Sequence, residues 1–126
     1  MKNINKNVEF VDERGKKHEF RQTLENLVGQ KVEFSGKLVK CYEDSKKLLV
    51  REINDKNGQF ITSHSHMFIQ GNPKRDKERQ KIDKMFSELQ KFEGKRIRFI
   101  AKVTKYSTKS QKMNYGISYF VELLDK

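Results

Sequence analysis

The 126 residues suit one domain, and although 36% of them are charged, nine Phe and four Tyr provide enough bulk for a core, which excludes a disordered chain. A formal net charge of +11 argues for an acidic partner rather than for any particular fold. A single cysteine, Cys41, excludes an intrachain disulfide framework, and neither a signal-like apolar run nor a stretch of transmembrane length is present, so a cytoplasmic protein with no membrane partner is expected.

Residues 1–17 are polar, with a short apolar run at Val8–Val11 and a turn-like Asp-Glu-Arg-Gly at 12–15, and are expected to form an N-terminal arm. A single domain is expected over 18–126. It opens with Phe20, Leu24, Leu27 and Val28 at helical spacing, which predicts a helix over 18–28 stopped by Gly29. The period then changes to two. Val32, Phe34, Gly36 and Leu38 alternate with Lys31, Glu33, Ser35 and Lys37, which predicts a half-buried strand over 31–40. A polar turn at 41–47 leads to a second strand at 47–53. Asn57-Gly58 marks a tight hairpin turn before a third strand at 59–70.

Gly-Asn-Pro at 71–73 ends the sheet, and residues 74–92 read as the clearest helix, with Ile82, Met85, Phe86, Leu89 and Phe92 on one stripe. Residues 95–107 alternate again, a polar loop covers 107–114, and the last strand runs over 115–124. The segments 29–40 and 94–105 echo one another, as two strands sharing an inside–outside pattern and a lead-in glycine do.

Helix, then β-β-β-α-β-β, resembles the OB-fold, the five-stranded Greek-key barrel with a helix between its third and fourth strands. The likeness covers about residues 29–124 and rests on layout, on Leu27-Val28-Gly29-Gln30-Lys31-Val32 followed by Gly36 in the first strand, and on the amphipathic helix in the expected slot. It implies a mainly β, OB-like barrel with an additional N-terminal helix. The chain differs from bacterial single-strand-binding proteins in having no tryptophan and no long acidic-tipped tail, which favours a smaller accessory role in replication or recombination, such as that of a phage, plasmid or mobile-element factor.

The charge is uneven. Residues 71–112 carry 14 basic and 5 acidic residues, most of the excess. A solvated helix face accounts for Lys77, Lys81, Lys84 and Lys91. It accounts less well for Arg96, Arg98, Lys102, Lys105, Lys109 and Lys112, which follow a strand into a loop as a phosphate-binding stripe would. Lysine outnumbers arginine 21 to 7, a mix that an AT-rich coding genome also produces, so basic composition alone is a weak signal. Lys37, Lys47 and Arg51 are further candidates on the first two barrel strands.

Tyr42, Tyr106 and Tyr115 fall by the two loops that flank the OB binding face, where exposed rings stack bases; the alternative is that they cap the barrel ends. His64 and His66 share one face of the third strand with Thr62 and Phe68, where they stack or donate, and titrate near neutrality. Zinc is not expected, since only Cys41 and His18 remain as soft ligands and neither has supporting spacing. No phosphate loop, HExxH or nucleophile elbow is present, and Cys41 reads as a small half-buried hydrophobe, so no enzyme and no cofactor is expected.

The function expected is single-stranded nucleic acid binding with weak sequence preference, DNA ahead of RNA. The alternative is a basic interaction module or inhibitor that engages an acidic protein such as a polymerase, helicase or other nucleic-acid enzyme.

Overall fold

The computed structural model describes residues 7–107 and 113–125. Its elements in chain order are β1 (Glu9–Val11), β2 (Lys17–Glu19), a 3-10 helix (Gln22–Leu27), β3 (Lys31–Tyr42), β4 (Lys47–Asp55), β5 (Phe60–Ile69), α1 (Asp76–Gln90), β6 (Arg96–Ser107) and β7 (Met113–Leu123). β3–β7 close into a barrel in the order β3-β4-β5-β7-β6. All neighbours are antiparallel except β5 and β7, which pair in parallel over only Phe68↔Tyr119 and Ile69↔Phe120. The fold is mainly β, an OB-like barrel, as the layout implies.

Two-residue alternation puts Phe34, Leu48, Met67, Phe99 and Phe120 inside, all fully buried. Phe99 packs against both Phe34 and Phe120, with ring centroids 6.1 and 5.4 Å apart. Gly36 sits where β3 bends to serve two partners, opposite Ile97 of β6 and beside the Lys37↔Arg51 pair with β4. A Cβ there would stand 2.6 Å from Val50 Cγ1 and 3.1 Å from the Arg51 carbonyl oxygen, so only glycine lets β4 come this close. β4 answers with a bulge at Glu52, whose φ is +53°.

Each end of the barrel has its own plug. α1 buries Ile82, Phe86 and Leu89, as its stripe predicts, beside the β3–β4 turn. The Lys46 ammonium lies 4.7 Å over the Phe86 ring, and Glu93 accepts the backbone N–H of Cys41. At the other end the 3-10 helix inserts Leu24, which is fully buried.

This N-terminal segment departs from the predicted helix over 18–28. Lys17–Glu19 pair with Glu9–Val11 as a hairpin, and only Gln22–Leu27 are helical, in 3-10 form. An isolated eleven-residue helix is marginal, and three side chains have better partners elsewhere. His18 stacks on Phe10 and binds Asp12, Glu19 reaches the β5 backbone, and Arg21 is held inside the barrel mouth. The hairpin therefore crosses the expected boundary between arm and domain. Among the described residues no helix is long and apolar enough to cross a membrane.

Candidate nucleic-acid interface

Cross-strand partners place their side chains on the same face of a sheet, so the register reveals rows running across the barrel. One row is Arg96–Lys37–Arg51–His64, through β6, β3, β4 and β5. Next along the strands lies Lys40–Leu49–His66. A third row, Tyr42–Lys47–Phe68–Tyr119–Lys102, passes through all five barrel strands. Basic side chains of β3 and β4 thus lie beside the rings of β5 on the outer face, with Tyr42 at the end of β3. Phe68 and Tyr119 are 49% and 41% exposed, unusual for large rings unless something covers them.

Within these rows the rings touch. Tyr42 lies 6.4 Å from His66, and His66 meets His64 edge-on at 6.3 Å. The ammonium groups of Lys40 and Lys47 stand 5.2 and 5.3 Å from the Tyr42 centroid, close enough for cation–π attraction. Tyr42 is the last residue of β3 and half-buried, so it belongs to the strand face rather than to the turn after it. Both histidines are held below their ordinary pKa. For His64 the causes are burial and then the charge of Arg21, with Glu19 opposing and Arg51 adding to the effect. For His66 they are burial, Lys47 and His64. Both rings therefore favour the neutral form at pH 7, and any acid strengthening of anion binding sets in at a lower pH than for an ordinary histidine.

Above the two parallel pairs, β5 and β7 part, and a cleft of ≈ 310 Å³ opens between them, lined by Arg21, His64, His66, Tyr106, Gly116 and Ser118 among others. Gly116 lets the Tyr106 ring lie close, since a Cβ there would stand 3.2 Å from Tyr106 Cε1. Tyr106 remains 40% exposed while its hydroxyl accepts from Arg21 Nη1 (3.2 Å) and Asn114 Nδ2 (3.3 Å). The hydroxyl end of this ring is anchored and one side lies against Gly116, which leaves part of the ring open.

Arg21, only 9% exposed, is the residue that sequence patterning missed. It donates through Nε to Thr62 Oγ1 (2.8 Å), through Nη1 to Tyr115 O as well as to Tyr106, and through Nη2 to His64 O (3.3 Å). The Glu19 carboxylate lies 3.8 Å from Arg21 Nε. Burial alone would raise the Glu19 pKa, but hydrogen bonds from Thr62, Ser63 and Asn7 outweigh it and hold the carboxylate ionised. No local pattern announces either residue, because the β5 partners that hold them lie more than forty positions away.

Other sequence candidates fall elsewhere. Arg96 donates to Ser35 Oγ and to the carbonyl of Glu52, so it also staples the β4 bulge. Arg98 is paired with Asp125 at 3.2 Å, which answers part of its charge. These two arginines carry structural duties, contrary to a stripe free for phosphate. Lys105 sits opposite Tyr115 near the barrel rim. Tyr115 is not on the outer face. Its half-buried ring packs against Phe20 and the core, and burial together with Glu25 raises its pKa. Lys109 and Lys112 lie outside the described residues.

Cys41 is buried, and burial followed by the nearby Glu93 pushes its thiol up to about 11, which makes it a poor nucleophile. No group of three or more His, Cys, Asp or Glu placed to hold a metal occurs among the described residues.

The fold and its outer face define an OB-like barrel that presents a basic, aromatic surface. Beyond this class, the chain matches no family model, no curated protein and no solved structure.

Proposed function

We propose that this protein binds single-stranded nucleic acid, DNA ahead of RNA, across the outer face of β3, β4 and β5, with Tyr119 and Tyr106 extending the path over β7 and β6. The observation that carries the proposal is the set of cross-strand rows. Lys47 stands between Tyr42 and Phe68, Arg51 beside His64, and Lys37 and Lys40 on the adjoining strand at the same spacing. Same-face neighbours along a strand lie about 7 Å apart. Such a surface offers cations to successive phosphates and rings to successive bases.

A duplex hides the faces of its bases within the stack, whereas a single strand presents them. Stacking is worth about 1–3 kcal/mol per base whatever the base, so sequence preference along most of the path is weak. Catalysis forms no part of the proposal. The role is that of an accessory factor acting on exposed single strands in replication or recombination.

The test is a salt-titrated binding assay with labelled single-stranded DNA, duplex DNA and single-stranded RNA. Single-stranded DNA is expected to bind most tightly, with a steep loss of affinity as salt rises. Absence of single-stranded binding at low salt rejects the proposal and transfers the basic face to an acidic protein partner.

A further inference from the structure

β5 and β7 pair over only two residues, and the segment before the 3-10 helix reaches both strands with side chains. Asn7 Nδ2 donates to the Ile61 carbonyl (2.8 Å), the Glu19 carboxylate accepts the Ser63 backbone N–H (3.1 Å), and Arg21 Nη2 donates to the His64 carbonyl (3.3 Å). Three backbone groups of β5 thus bond to the N-terminal segment. β7 is tied to the same segment through Asn114, which is fully buried. Its Oδ1 accepts the backbone N–H groups of Arg21 (3.1 Å) and Tyr115 (2.8 Å), and its Nδ2 donates to the Glu19 carbonyl (2.8 Å) and to Tyr106 Oη (3.3 Å). Both hydrogens of this amide are used and its oxygen accepts twice, so its orientation is fixed.

Tyr106 is where these ties reach the outer surface. It is the cross-strand partner of Asn114 and stands one residue before the end of β6. It lies outside the buried core cluster, and a ring 40% exposed at a strand end has more than one staggered χ1 open to it. Two contacts remove that choice. The hydroxyl accepts from Arg21 Nη1 (3.2 Å) as well as from Asn114, and the ring lies close to Gly116. Arg21 is in turn held through its other nitrogens by Thr62 and His64, with Glu19 beside it, so the anchor does not move with the ring.

We infer that Arg21 and Asn114 are positioning residues that hold the Tyr106 ring in the orientation in which it stacks on a base, so that the N-terminal segment sets the affinity of a face it does not itself present. The inference rests on the single-strand reading and adds a second layer of residues to it. Arg21 acts through the tyrosine hydroxyl and not on a phosphate. An ordered ring has no rotamer freedom left to lose on binding, and releasing it should weaken binding about two- to tenfold.

The experiment is a double-mutant cycle of Tyr106→Phe and Arg21→Gln, read by anisotropy with a labelled single-stranded DNA across a salt series. Tyr106→Phe keeps the ring and removes the anchored oxygen. Each single variant is expected to bind about two- to tenfold more weakly with the wild-type salt slope, and the double variant no more weakly than the weaker single. Three-bond couplings in the free proteins report χ1 at position 106, expected as one rotamer in the wild type and as an average in the variants. If Arg21→Gln does not fold, the affinity and couplings of Tyr106→Phe decide alone. Wild-type affinity or an unaveraged χ1 in Tyr106→Phe overturns the inference, and so do additive losses. A slope lower by about 0.7 in Arg21→Gln also overturns it, since Arg21 would then be a phosphate contact. Absence of single-stranded binding by the wild-type protein rejects the parent reading and the inference together, whereas the other failures leave that reading standing.

Discussion

Lys37 and Arg51 are direct cross-strand partners at the centre of the outer face, both exposed, with no carboxylate within 4 Å among the described residues. Replacing both with alanine removes two cations that have no intramolecular ion pair to replace. Each phosphate contact to a single strand contributes about 0.7 to the slope of log affinity against log salt, so the double variant should lower that slope by about 1.4. Exposed side chains of this kind contribute little to stability, and the unfolding midpoint should move by less than about 0.5 kcal/mol equivalent. Arg98→Ala is the internal comparison. Its charge is partly answered by Asp125 and it lies off the β3–β5 path, so the slope should change by less than one phosphate contact's share of about 0.7. Fluorescence anisotropy with a labelled oligonucleotide at four or five salt concentrations measures all three proteins. An unchanged slope in the Lys37/Arg51 variant, together with a fall in Arg98→Ala, would refute the assignment of the path to β3–β5 and move it to the β6 flank.

Three further outcomes are expected. Phe86→Ala should cost about 3–5 kcal/mol in denaturant unfolding, because the ring is fully buried in the plug that α1 forms. Gly36→Ala should cost about 1–3 kcal/mol, since the new methyl meets Val50 at 2.6 Å and backbone at 3.1 Å; an unchanged midpoint would show that β4 moves away freely. The folded state depresses the His64 and His66 pKa below the ordinary 6.5, so between those values the unfolded chain binds more protons. Stability should therefore fall as pH drops below about 6.5 and level off below the folded values, and a thermal-melt series from pH 7.5 to 5 should be flatter in a variant lacking both histidines.

How much of this was legible in the sequence follows from the range of the interactions involved. Barrel strands and α1 are local patterns of period two and 3.6, so Phe34, Phe99 and the Ile82–Phe86–Leu89 stripe were readable. Gly36 was readable as a bend because a glycine inside an alternating strand has few other uses. The N-terminal helix was misjudged for the opposite reason. Its apolar spacing is helical, but Glu19 and Arg21 find partners in β5 and β7, and tertiary contacts override a weak local preference. Most candidate site residues follow from composition and position, whereas the face they form depends on register. Lys37 and Arg51 meet His64 across strands, whereas Tyr115, only nine residues from Tyr106, turns to the core side.

Register also explains how the face acquires its charge. Lys37 and Lys40 lie three apart in β3, and strict alternation would send one of them into the barrel. The irregularity between Leu38 and Lys40 shifts the phase, so that Leu38 and Cys41 are buried while both lysines are exposed. The bulge at Glu52 does the same for β4, keeping Val50 and Ile53 inside with Arg51 and Glu52 outside. These two departures from regular pairing let the barrel close around a tight bend, and they also align Lys37 with Arg51 and Tyr42 with Lys47. Because these groups stand on paired strands rather than on loops, little backbone freedom is left to lose when a ligand binds. Ordering the long lysine side chains is then the main entropic cost, and Lys40 and Lys47 meet part of it beforehand by resting against the Tyr42 ring.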